Sequence, residues 1–499
     1  MRESIGKLRV SALVVLTSLI LAFGGEGHAG VGADASADGV PPNPRLLERI
    51  ARGQVRIPRV VTNRTPTRLR RAPASPHALT GTVRALAVLV DFSDKASTVS
   101  ANYFDALLFA APVAGRGSVR DYFDEVSYGQ IDLVTLDVPS TLGWLRAPST
   151  YAYYVNNNYC DGFSYPNNCQ KLAEDLVDAL HAAGVNFANY DNDHDGYAEP
   201  VIIIHAGTGA EVTGNPNDVW SHSWGLAYPR SYDGVTIDRY TIQPEYWQEP
   251  GNPPVDMTIG VFAHEMGHGF WNLPDLYDTD LSSLGIGNWS LMSYGVWNGP
   301  ARWGDSPAWL DAWSRIRMGI ATFTNVTSNV GNQNIPQAYN NPLAQTILRL
   351  HSTVLASQEY FLLENRQQVS GSYDEYLPGN GLLIWHVDES MSSNDLECTL
   401  EPHSLCPSNH YLVALEQADG ARHLEYGING GDTGDPFPGA TNNRNWWTST
   451  HPESSSWYST AASCIGVTNI GDSGASMSAD LQVTCLWYFL PRILKWASP

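Results

Sequence analysis

From residue 82 the apolar positions fall into two regimes. RALAVLVDF and EPVIIIHAG are unbroken β-branched and aliphatic runs, the pattern of strands buried on both faces. IDLVTLDV alternates like a further strand. SVRDYFDEVSYGQ, VFAHEMGHGFW and PAWLDAWSRIRMG read as helices and CQKLAEDLVDALHAAG as an amphipathic one, with Gly184 and Gly319 as stop signals. RYTIQPEYW reads as an edge strand, because Pro244 lacks the N–H that a central ladder needs. After about residue 320 the period shortens. TILRL, EYFLLENRQ, GLLIWHVDE, HYLVALEQADG and ASMSADLQVTC are separated by turn clusters such as PGNG and NGGDTGDPFPG. The expectation is an α+β domain over 82–320, a β-rich domain over 321–485 and a tail over 486–499.

The N-terminal 81 residues lack such periodicity. Arg2, Lys7 and Arg9 precede VSALVVLTSLILAF, and GHA follows, which reads as a signal peptide over 1–29. The apolar stretch is shorter than the roughly 20 residues a spanning helix needs. Residues 30–81 are rich in Pro and Arg and read as a propeptide or linker. Their basic character contrasts with a 499-residue chain of net charge −22, which argues against nucleic acid and anionic membrane partners. In an exported chain the six cysteines suggest disulfides, with local order favouring Cys160–Cys169, Cys398–Cys406 and Cys464–Cys485.

The candidate chemistry lies in HEMGH. His264 and His268 stand one turn apart on one face of a helix, so their rings can hold one zinc ion. Glu265 beside them can take a proton from a metal-activated water and pass it to a leaving amine. A bare HExxH is moderate evidence. It gains weight from the acidic turn PDLYD and from WSLMSYG, where Met292 occupies the position of the methionine that underlies the metal in metzincins.

Together with LVDFSD, YDNDHDGYAEPVIIIHAG, YTIQPE, GNWSLMSYGVWNG, LPGNGLLIWHVDE and GDTGDPFPG, in this order, these motifs resemble the immune inhibitor A-like secreted bacterial zinc metallopeptidases. The resemblance implies a zincin-type, metzincin-like catalytic domain, an inhibitory propeptide and a following β-rich domain. The family spacing resembles HExxHxxGxxD, but Trp271 stands at the glycine position and the aspartate arrives one residue late. Asp275 is the first choice for the third zinc ligand and Asp278 the second, with a ligand elsewhere left open; Asn272 can replace the glycine as a left-handed helix stop. Tyr294, two residues after Met292, is a candidate to stabilise an oxyanion, or a plain cleft aromatic.

Asp191, Asp193 and Asp195 alternate ahead of Gly196, as in the first half of a calcium loop, and Glu199 can complete the shell. Ile202 stands where an EF-hand needs glutamate, so the loop is not an EF-hand. Asp432 and Asp435 read as a polar turn or a further ion site. His205 reads as structural, and His386 with Asp388 as a hydrogen-bonded pair on one strand face. The reading is a secreted zinc endopeptidase acting on proteins or peptides, with zinc and calcium as metals. Its rivals are a binding or adhesion protein on an inactive zincin scaffold, and a hydrolase of non-protein substrates.

Overall fold

The structure, a computed structural model, describes residues 38–57, 79–111, 117–161, 164–341, 346–351, 358–400, 403–447, 455–458 and 463–484. Residues 1–29, read above as a signal peptide, and 486–499, read as a tail, lie outside these residues. All the described residues fall in one compact unit. Among them no helix is long and apolar enough to cross a membrane.

The main sheet runs in the order Asp38–Gly39, His222–Tyr232, Val235–Trp247, Val201–Thr208, Ala87–Asp91, Trp144–Arg146, and Val255–Asp256 adds to the end of Val235–Trp247. The last four strands of that order are parallel, whereas His222–Tyr232 is antiparallel to Val235–Trp247 and Asp38–Gly39 is antiparallel to His222–Tyr232. Strand alternation sends Ala87, Leu89, Ile202 and Ile204 to one face, where helix Ile259–Trp271 packs. Val88, Val90, Val201 and Ile203 go to the other, against helix Cys169–Ala182. This double coverage explains the unbroken apolar runs.

Val235–Trp247 is an inner strand, contrary to the edge position expected from Pro244. The proline is tolerated because the antiparallel ladder has already ended at His222↔Ile242, and the parallel ladder slips register just past His205↔Pro244. The strand expected in IDLVTLDV forms at Ile131–Val134, but it pairs in parallel with Gly81–Arg84 as a separate two-stranded sheet.

From Phe323 onward two sheets stack. Five strands run in the order Phe323–Val326, Ile347–Leu350, Glu359–Arg366, Gly381–Asp388, Val413–Leu415, and four in the order Val330–Pro336, Ser476–Gln482, Gly466–Thr468, Trp446–Trp447. Leu350, Phe361, Leu363 and Ile384 face the smaller sheet, meeting Ile335, Val467, Met477 and Leu481. Their neighbours Ile347, Leu362, Leu383 and Trp385 face the other way and join the core beneath Ile259–Trp271. Alternation along each strand thus ties the β-rich part to the helix-bearing part through one continuous apolar layer.

Cys160–Cys169 and Cys398–Cys406 are disulfides, as their order suggested. Cys485 lies outside the described residues, and with it the third expected pair. His386 and Asp388 share a face but do not bond to each other. Each finds a partner across the sheet instead: His386 sits between Glu416 and Glu359, at 3.2 and 3.4 Å, while Asp388 faces His410 Nε2 at 2.9 Å.

Candidate active site

Helix Ile259–Trp271 is buried along its whole length. Asn272 ends it in the left-handed region at φ 53°, as its sequence position suggested, and its N–H donates to the His268 carbonyl. The chain then turns back, and Leu273 N–H donates to Gly267 O. Pro274 cannot continue the helix, and Leu273 before it is biased away from it. Trp271, in place of a glycine, packs its ring 4.7 Å from that of Phe123 and donates from Nε1 to Leu79 O.

The turn delivers Asp275 to the histidines. Its Oδ1 lies 3.2 Å from His264 Nε2 and 3.1 Å from His268 Nε2, and the two Nε2 atoms are 3.1 Å apart. Each Nδ1 faces a backbone carbonyl: Leu291 O at 2.8 Å for His264 and Leu273 O at 2.7 Å for His268. A carbonyl only accepts, so the Nδ1 atoms carry the protons and both Nε2 lone pairs point inward. Two lone pairs and a carboxylate oxygen therefore converge, all buried. Such a set of acceptors requires a positive centre, and a two-nitrogen, one-oxygen set suits zinc.

The electrostatics agree. Burial pushes His264 below its ordinary pKa. Burial also opposes charge on His268, but the Asp275 carboxylate overrides it and raises His268 to about 10. Burial works to raise Asp275, yet charge on His268 and hydrogen bonds from both rings hold it below the usual carboxylate range.

Asp278 does not join this group. Its carboxylate accepts from Asp280 N–H, Ser282 Oγ, and the N–H and Oγ of Ser283, so it braces the following loop. Met292 lies under the helix: a Cβ added at Gly267 would sit 2.7 Å from its Sδ. The same segment supplies Leu291 O to His264, and Met292 O accepts from Leu276 N–H. Tyr294 is buried, its ring edge-on to Tyr277, and its hydroxyl has no hydrogen-bond partner among the described residues. Burial, and then Asp278, push that hydroxyl well above the ordinary tyrosine value.

Residues 38–57, read from sequence as unpatterned, are instead ordered across this site. Asp38–Gly39 extends the sheet at His222–Tyr232. Gly39 O accepts from Tyr277 Oη, Val40 N–H donates to Glu265 Oε1 at 2.9 Å, Val40 O accepts from Trp220 Nε1, and Pro41 O accepts from Trp297 Nε1. Helix Pro44–Ala51 follows, capped by Asn43 Oδ1 on Leu46 N–H, with Pro44 in its first turn. A basic, proline-rich stretch masked this short amphipathic helix. The detectable signal was the Asn-Pro start before Leu46, Leu47 and Ile50.

The acidic loop folds on itself. Asp191 accepts from Asp195 and Gly196 N–H, Asp193 from Asp195 N–H, and Gly196 adopts φ 89°. One carboxylate oxygen from each of Asp191, Asp193 and Asp195 lies within 4.8 Å of the others. Glu199 is buried beside them and accepts from Asn192 N–H, and burial raises its carboxyl to about 8.

Residues 79–322 match the family model described as immune inhibitor A peptidase M6, catalytic domain. The chain is 28% identical over 229 residues to the pre-pro-metalloprotease PrtV of Vibrio cholerae serotype O1, a match covering 40% of this chain and 23% of that one. It is 33% identical over 214 residues to immune inhibitor A of Bacillus thuringiensis subsp. alesti, covering 36% and 28% respectively. The matched segment thus spans about a quarter of either relative's length. HEMGH, the acidic turn and the methionine segment all lie inside residues 79–322, the stretch that matches the immune inhibitor A peptidase M6 catalytic domain.

Proposed function

We propose that the chain is an exported zinc endopeptidase cleaving protein or peptide substrates, with a zincin-type catalytic domain over 82–320 and a β-rich domain over 321–485. The observation that carries this reading is the convergence of His264 Nε2, His268 Nε2 and Asp275 Oδ1 beside Glu265. These three residues fit a zinc ion, which when bound lowers the pKa of water toward about 7 and polarises a carbonyl.

The remaining work belongs to the chain. An extended substrate adds to the His222–Tyr232 edge, where Asp38–Gly39 pairs now. Glu265 already meets a backbone N–H on that edge, so its carboxylate faces the substrate's path. It accepts the proton of the attacking water and returns it to the leaving amine. The Tyr294 hydroxyl, held protonated by burial, is the donor for the developing oxyanion. Residues 30–81 act as a propeptide that keeps the enzyme latent, because residues 38–41 take the backbone contacts a substrate needs. Asp191, Asp193, Asp195 and Glu199 hold a structural calcium ion. The signal-peptide pattern supports export.

The test is casein hydrolysis by chain freed of its first 57 residues, with and without chelator, alongside Glu265→Gln. The reading expects chelator-sensitive cleavage, and a Gln variant that keeps zinc while losing about 10²–10⁴-fold in turnover. A metal-replete Gln variant cleaving at the wild-type rate removes Glu265 from its role. No cleavage by any form returns the chain to a binding function.

A further inference from the structure

A second group of carboxylates lies in the turns after strand Val413–Leu415. One oxygen from each of Asp419, Asp432 and Asp435 lies within 4.8 Å of the others. Asp435 is only 1% exposed. Its Oδ2 accepts from Asp432 N–H at 2.9 Å and Trp289 Nε1 at 3.1 Å. Its Oδ1 is buried with no hydrogen-bond partner among the described residues. Asp419 Oδ1 accepts from Ala421 N–H, and Asp432 Oδ1 from Gly434 N–H. Asn429 and His423 approach Asp432 Oδ2 from outside. Among the described residues no lysine or arginine pairs with the three; His423, at 3.3 Å, is their one basic neighbour within ion-pair distance.

The backbone is shaped to bring these oxygens together. A Cβ on Gly434 would lie 2.3 Å from Asp419 Oδ2 and 2.9 Å from Asp432 Oδ1, so only a glycine lets both close over the turn. Three carboxylates so placed repel one another unless a cation joins them. Burial, reinforced by the charges of Asp432 and Asp419, raises the Asp435 carboxyl to about 7.

We propose that Asp419, Asp432 and Asp435 bind a calcium ion, each through one carboxylate oxygen. The donors are all oxygens, which excludes a soft-metal preference. Carboxylates carried on an irregular turn suit calcium, whose coordination is flexible, over the octahedral demands of magnesium. The site would act on the catalytic part through Trp289. Asn288 N–H donates to Gly430 O at 2.7 Å, Trp289 Nε1 holds Asp435, and two residues on Leu291 O orients His264. The ion therefore locks a turn of the β-rich part onto the segment behind the histidines. None of this depends on peptidase activity.

The test is calcium binding by metal-stripped, full-length protein, by equilibrium dialysis and by terbium emission excited through tryptophan. Asp419→Asn should weaken one site by about tenfold or more, as loss of a ligand charge does. Asp435→Asn should remove one ion per chain, and Asp193→Ala should leave this site's affinity unchanged. Wild-type stoichiometry and affinity in Asp419→Asn and Asp435→Asn overturn the proposal. If Asp435→Asn does not fold, Asp419→Asn, a partly exposed turn residue, decides alone.

Discussion

The N–H of Val40 donates to Glu265 Oε1 at 2.9 Å, across 225 residues of sequence. The carboxylate assigned to proton transfer is thereby engaged by the chain's own N-terminal segment. The proposed latency has a direct consequence. Removing residues 1–57 should raise peptide turnover about tenfold or more, which corresponds to about 1.4 kcal/mol of competing contact. A synthetic peptide of residues 36–57 should inhibit the shortened enzyme in competition with substrate. Tyr277→Phe should weaken that inhibition about two- to tenfold, since a hydrogen bond contributes about 0.5–1.5 kcal/mol. Inhibition kinetics check this; a peptide with no effect would remove the autoinhibitory role.

Asp275 and Asp278 should separate in zinc affinity. Asp275→Asn should lose more than Asp278→Asn, because only Asp275 reaches both Nε2 atoms. Loss of a brace costs about 10–100-fold in metal binding, which bounds the Asp278 effect. Asp278→Asn should show mainly as a lower melting temperature, from weakened bonds to Ser282 and Ser283. Competition titration with a chromophoric chelator decides, and tight zinc in Asp275→Asn alone would reassign the ligand.

Gly267 and Met292 should be energetically coupled. Gly267→Ala forces the Met292 thioether aside in a fully buried site, an overpacking cost of about 1–3 kcal/mol. Met292→Ala creates a cavity costing about 2–5 kcal/mol. In the double variant the new methyl enters that cavity, so the combined loss should fall below the sum. Denaturant unfolding of the four proteins measures it, and strict additivity would deny the contact.

Asp388 should govern part of the acid limb of stability. Burial works to raise its carboxyl, but the bond to His410 and those from Ser390 win, holding it at about 2 against an ordinary 3.8. A depressed carboxylate stabilises the fold above its unfolded pKa and loses that contribution as pH falls through the folded value. The stability gap between wild type and Asp388→Asn should therefore be full above pH 4 and shrink between about pH 4 and pH 2. Urea unfolding across that range checks it, and a gap independent of pH would rule it out.

Local pattern in the sequence decided a good deal. Unbroken apolar runs identified the strands Ala87–Asp91 and Val201–Thr208, and a helical period the helix Cys169–Ala182, because each pattern reflects how many of its own faces an element buries. One helical turn between His264 and His268 fixed that they share a face. Asn272 and Pro274 dictated where the helix stops, since both act on their own backbone or the residue beside it.

What lay beyond reach depended on partners distant along the chain. Pro244 sits in an inner strand because of where two other strands end. His386 and Asp388 chose Glu416 and His410 over each other because strand neighbours on one face are further apart than partners across the sheet. How close Asp275, rather than Asp278, comes to the two histidines turned on the path of a single loop. That residues 38–41 lie against Glu265 could not be read from a segment whose backbone groups find their partners far along the chain, on strand His222–Tyr232, Glu265, Trp220, Tyr277 and Trp297. Side-chain periodicity is a property of one element, whereas unpaired backbone groups and convergent charges are satisfied by whatever the tertiary fold brings within about 3 Å.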